Sequence, residues 1–69
     1  MDVRKKFGKQ LRALREERGW SQEEFADRAG LHRTYVSAVE RGVRNPTLSV
    51  LERLAKALGI KLSELLATI

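Results

Sequence analysis

In "GLHRTYVSAVERG", residues 30–42, the polar side chains are of types that bind rather than react. Advancing ~100° per residue from Arg33 along a helix gathers Arg33, Thr34, Ser37, Ala38 and Arg41 within about 140° of one another. Val36, Val39 and the Tyr35 ring fall on the other side. A guanidinium at each end donates hydrogen bonds in a fixed fork, and the hydroxyls between them both donate and accept. An ordinary solvated helix face carries long charged residues such as Lys and Glu; this one is short in the middle. Reactive constellations are missing elsewhere. There is no cysteine, and His32 is the single histidine, so no transition-metal site is expected. No carboxylate pair has a catalytic context, no nucleophile has a histidine partner, and no Gly-rich phosphate loop occurs. Neither enzyme activity, nor a cofactor, nor a small-molecule ligand is expected.

At 69 residues the chain holds one domain with a small core, near the lower limit for independent folding. No apolar run approaches the ~18 residues of a membrane span. The start, "MDVRKKFGKQ", lacks the apolar centre of a signal peptide. A soluble cytoplasmic protein without membrane contact is the expectation. The net charge is +5, unevenly spread. Residues 1–18 hold seven basic against three acidic side chains, and Arg28, Arg33, Arg41 and Arg44 face only Glu40 within residues 28–44. Such a chain is attracted to polyanions, nucleic acid foremost. Lys and Arg also simply solubilise surfaces, and composition leaves both readings open.

The elements that must position these residues are all helical. Val3, Phe7, Leu11 and Leu14 form one stripe of a first helix over about 2–18, stopped by Gly19. Gly8 interrupts it at a propensity cost of roughly 1 kcal/mol, with no reason visible in the sequence. "SQEE" is a capping box, Ser21 accepting from the Glu24 amide and Glu24 reaching back, which opens a second helix running to Ala29. Gly30 ends it, and a third helix follows over about 33–41 with Gly42 as its stop. Pro46 disfavours helix at Asn45, so "VRNP" is a loop. Thr47 caps a fourth helix with Leu48, Leu51, Leu54, Ala55 and Leu58 on one stripe, and Gly59 closes it. A fifth, about 62–68, carries Leu62, Leu65, Leu66 and Ile69. No repeat, linker or low-complexity segment divides the chain.

A short glycine-bearing turn between the second and third helices is the outline of a helix-turn-helix, about 21–41. Ala26 is small where the next helix must cross, Gly30 tolerates a left-handed backbone, and Val36 and Val39 lock the third helix down. On these residues, "WSQEEFADRAGLHRTYVSAVERGVRNPTLSVLERLAKALGI" resembles the helix-turn-helix domain of the Cro/phage-repressor-like (XRE) transcription regulators, from Phe7 to about Leu66. "GLHRTYVSAVERGVRN" is most similar to controller proteins of restriction–modification systems. The resemblance implies a five-helix lambda-repressor-like all-α fold and a transcription regulator that binds double-stranded DNA.

In that family the third helix lies in the major groove. This implies that Arg33 donates to guanine O6 and N7, and that Thr34 offers a hydroxyl and a methyl to a thymine. Short Ser37 and Ala38 let the helix axis approach the bases. Tyr35 borders the apolar arc; it is either mostly core or, as the controller resemblance implies, a DNA contact. Gln22 in the first turn of the second helix, His32, Arg41, Arg44 and Asn45 are candidate phosphate contacts. The family pattern also implies an ion pair between Arg15 and Glu40, structural rather than functional; phosphates repel a carboxylate used to read bases. The basic residues of the first helix are expected to be a solvated face with long-range steering value.

One recognition helix reads only about 4–5 base pairs, so a homodimer on a pseudo-palindrome is expected. Helix five supplies its surface, with Leu62 and Leu65 inside and Leu66 and Ile69 partly at the interface; the alternative is that all four close the core. The competing reading of function is an antitoxin-like module that autoregulates its operon and grips a partner protein through its C-terminal leucines.

Overall fold

Each long helix begins at a side chain that takes up one of its unpaired amides, the local event that fixes where helix starts. In the computed structural model, which describes residues 2–67, these helices are α1 (Val3–Glu17), α2 (Gln22–Ala29), α3 (Arg33–Glu40) and α4 (Leu48–Leu58), followed by the single turn α5 (Leu62–Leu65). Asp2 accepts from the Arg4 amide at 2.9 Å, Ser21 from Glu24 at 3.0 Å, His32 from Thr34 at 3.2 Å and Thr47 from Val50 at 3.2 Å. Only half of the expected capping box forms on α2. The Glu24 carboxylate accepts from Arg28 Nη2 at 3.2 Å instead of returning to Ser21. A guanidinium one turn along the helix is a charged donor, and it outcompetes the neutral amide.

The fold is all-α among the described residues, and the five helices close on one core. Phe7 and Leu11 of α1, Phe25 of α2, Val36 and Val39 of α3, Leu54 of α4 and Leu65 of α5 are buried together. The expected stripes hold along most of their length and fail in their first turns. Val3 is 52% exposed and Leu48 69%, because each lies in a first turn that no facing helix covers. Helix α5 is shorter than expected: Leu66 is its non-helical C-cap and Ile69 lies outside the described residues. Leu65 is fully buried, Leu66 only half-buried, and Leu62 is likewise half-buried rather than inside. Arg18 ties the helix ends together, donating to Leu14 O at 2.9 Å and across to Leu58 O at 2.8 Å. One cation thereby satisfies carbonyls at the negative ends of both α1 and α4. No helix of the described residues is long and apolar enough to cross a membrane.

Gly8 now has its reason. A Cβ built there would lie 2.6 Å from the Val39 carbonyl oxygen and closer still to that of Glu40. The backbones of α1 and α3 cross in direct contact at this point, and only a residue without a side chain fits. Gly8→Ala therefore lowers stability, by about 2 kcal/mol or more, although alanine is the better helix former. Urea denaturation monitored by circular dichroism measures the sign directly.

Candidate nucleic-acid interface

The turn between α2 and α3 is set by one left-handed residue. Gly30 closes α2 at φ 69°, and the Leu31 amide donates back to Ala26 O at 2.8 Å. Fully buried Ala26 brings α3 close across α2, and Val36 and Val39 hold it there from below. Helix α3 consequently turns one side to the core and one to solvent.

Arg33 and Thr34 stand exposed at the start of the outer side, Ser37 and Ala38 are half-buried in its middle, and Arg41 is exposed at its end. The structure thus brings these five residues together on one side of the helix. The Arg33 side chain is 65% exposed, and its nearest opposite charge is Glu23 at 3.7 Å, itself 68% exposed. At that distance and exposure the pair contributes little, so the guanidinium is available to a stronger partner. His32 is the N-cap of α3, with Nδ1 also 2.8 Å from Thr34 Oγ1. Arg41 Nε donates to Ser37 O at 3.3 Å. Tyr35 lies between core and surface. Its ring is half-buried against the core, while its outer face lies under the Arg44 guanidinium, 5.1 Å from the ring centroid. Asn45 is exposed in the following loop, beside Arg44.

Behind this face, Arg15 and Glu40 meet as a two-pronged pair. Arg15 Nε donates to Oε2 at 2.7 Å and Nη2 to Oε1 at 3.1 Å, with side chains only 10% and 3% exposed. The third corner of the guanidinium donates to Trp20 O at 2.7 Å. Hydrogen bonding to Glu40 raises the Arg15 pKa above its ordinary value, against the opposing effect of burial. Gln22 is only half exposed, and its Nε2 donates to Glu40 Oε1 at 3.0 Å. One amide hydrogen of Gln22 is thus held inward and the other is left for an outside acceptor.

Comparison with known proteins matches this geometry to one family. Residues 11–65 fit the profile of the helix-turn-helix family HTH_3. The chain belongs to that family. Among its relatives, the control protein C.MunI of a Mycoplasma species is 46% identical over 69 residues, covering 99% of this chain and 93% of that protein. An uncharacterized HTH-type transcriptional regulator of Sinorhizobium fredii is 48% identical over 65 residues, covering 94% of this chain and 84% of that one. The crystal structure of the restriction-modification controller protein C.AhdI from Aeromonas hydrophila superposes with a TM-score of 0.87 at 50% identity, over 90% of each chain. This HTH_3 protein is a DNA-binding transcription regulator, not an enzyme.

Among the contacts of the HTH_3 unit that escaped the sequence reading, two are made by arginines. The Arg33–Glu23 approach spans two helices and has no periodic signature. The Arg28 guanidinium lies 4.4 Å over the Trp20 ring, which in turn tilts against Phe25, a contact that the Trp20 and Arg28 positions alone do not announce. The Arg15–Glu40 pair yields a quantitative expectation. Arg15→Ala and Glu40→Ala each lower unfolding free energy by about 3–5 kcal/mol, because each leaves a buried charge alone. The double variant loses less than the sum, and a chemical-denaturation double-mutant cycle reads that difference.

Proposed function

We propose that this regulator binds a pseudo-palindromic operator as a homodimer, with α3 of each subunit in the major groove. The observation that carries this reading is the outer side of α3: short Ser37 and Ala38 between outward guanidinium groups, on a helix held from beneath. Long side chains in the middle would hold the helix axis away from the bases. Arg33 is the base reader for guanine, Thr34 and Ser37 are the adjoining polar probes, and Ala38 provides clearance. Tyr35, stacked under Arg44, adds an aromatic edge beside them. Gln22, His32, Arg41, Arg44 and Asn45 flank that strip and take the phosphates. The helix-turn-helix, about 21–41, is the reading head of a single domain over residues 1–69, and the protein works in the cytoplasm, where its DNA is.

Half-sites lie about 34 Å apart when two such units face the same side of the duplex. For the subunit contact we favour the side bearing α5, including Leu66. Exposed Leu48 and half-buried Leu62 line a shallow cleft there with Ser49 and Glu52. The likeness to C.MunI and C.AhdI supports a controller that regulates its own short operon next to restriction and methylation genes. Adjacent genes of those two kinds support it, and a neighbouring toxin gene counts against it.

Footprinting on the DNA upstream of the protein's own gene tests the operator. Binding falls steeply with added salt, as expected when several phosphates are neutralised. Arg33→Ala costs about 1–3 kcal/mol on the selected site and far less on random duplex; equal losses on both would remove Arg33 from base reading. Sedimentation equilibrium at tens of micromolar gives the dimer mass, whereas monomer throughout that range overturns the homodimer.

A further inference from the structure

His32 Nδ1 has two neighbours within hydrogen-bond distance, the Thr34 backbone nitrogen at 3.2 Å and Thr34 Oγ1 at 2.8 Å. A backbone N–H can only donate, so Nδ1 is the lone-pair nitrogen of the ring and the ring proton sits on Nε2. Toward that same nitrogen the hydroxyl has one polarity left: it donates, and it shares the single lone pair of Nδ1 with the backbone N–H. Its single hydrogen is therefore turned inward, and Thr34 presents to solvent the lone pairs of Oγ1 and the γ-methyl. The cap of α4 shows why the histidine matters. There Thr47 and Ser49 meet at 3.2 Å, but both are hydroxyls, and either can be the donor. Only a capping group without a hydrogen of its own sets the direction.

We propose that His32 fixes Thr34 as a hydrogen-bond acceptor, so that α3 reads an exocyclic amine in the major groove, adenine N6 or cytosine N4, next to the guanine read by Arg33. This rests on α3 lying in the groove as proposed above, and it deepens that reading by naming the chemical group recognised. Thymine O4 and guanine O6 are acceptors and need a hydrogen that Thr34 has already given to His32. A thymine at this position is left with the methyl contact alone. His32 acts here as a positioning residue, setting the polarity of a neighbour, while its Nε2–H remains an outward donor for a phosphate oxygen.

The test uses the full chain and a duplex that it selects from a randomised pool. Single atoms are then deleted from that duplex: the amine of adenine (purine) or of cytosine (2-pyrimidinone), and separately the carbonyl oxygen of thymine or guanine. At one position per half-site, loss of the amine weakens wild-type binding about fivefold. Thr34→Val, which keeps the shape and removes the hydroxyl, binds the intact duplex as weakly and is indifferent to the deletion. Which analogue responds decides between adenine and cytosine. His32→Ala frees the hydroxyl to rotate and removes most of the discrimination, and His32→Asn, whose carbonyl oxygen accepts from both amide and hydroxyl, restores it. Coupling of Thr34→Val to a carbonyl deletion, or to none, overturns the proposal, as does full discrimination in His32→Ala. Arg33→Ala against guanine O6 deletion is the internal control. If that coupling is also missing, the placement of α3 fails; if it is present, only the assignment of Thr34 falls.

Discussion

A carboxylate enclosed on all sides, Glu40, is the constraint around which the molecule is organised. It takes two bonds from Arg15 and one from Gln22, so α1, α2 and α3 all meet at one ionised group. Burying a charge is unfavourable unless every lone pair has a partner. Among the described residues no buried side-chain nitrogen or oxygen lacks one. The net contribution of such a pair over an apolar substitute is modest, and its distinctive effect is angular. A planar fork on a planar carboxylate fixes orientation as well as distance, which a contact between methyl groups cannot do.

The basic outer surface depends on that internal neutralisation. Glu40 is the last residue of α3 and would otherwise set a negative charge beside the exposed polar side chains of that helix. Covered by Arg15, it leaves Arg33, Arg41 and Arg44 as the exposed charges along and just beyond that helix. Glu23 tempers this only at one corner, where it stands near Arg33. The same division explains why few polar residues of α3 are long. Anchoring comes from the apolar side and the ion pair, so the outer side need not help hold the helix in place.

Most of the architecture was legible because it is local. Caps, stops and three-to-four-residue periodicity are written within a turn or two of where they act, which is why Ser21, Gly30, Thr47 and Gly59 mark the observed helix ends. Legibility failed where the outcome depends on what lies opposite. Leu48 and Val3 share the spacing of core residues, but their exposure depends on whether a neighbour reaches the first turn. Gly8 looked like an unfavourable choice until α3 was laid across it. Glu24 had two acceptable donors, and only the three-dimensional position of Arg28 decided between them. At the candidate interface the residue types of the α3 face could be read in advance, whereas the directions of their hydrogen bonds could not.

The backbone contact at Gly8 also has a mechanical meaning. Helix α3 is clamped at its C-terminal end, where the carbonyls of Val39 and Glu40 rest on α1 and Gly42 sits against Lys5. Its N-terminal end, with His32, Arg33 and Thr34, is exposed and follows a short turn. A side chain added at Gly8 would therefore press on the end of the helix whose exposed side carries Arg33 and Arg41.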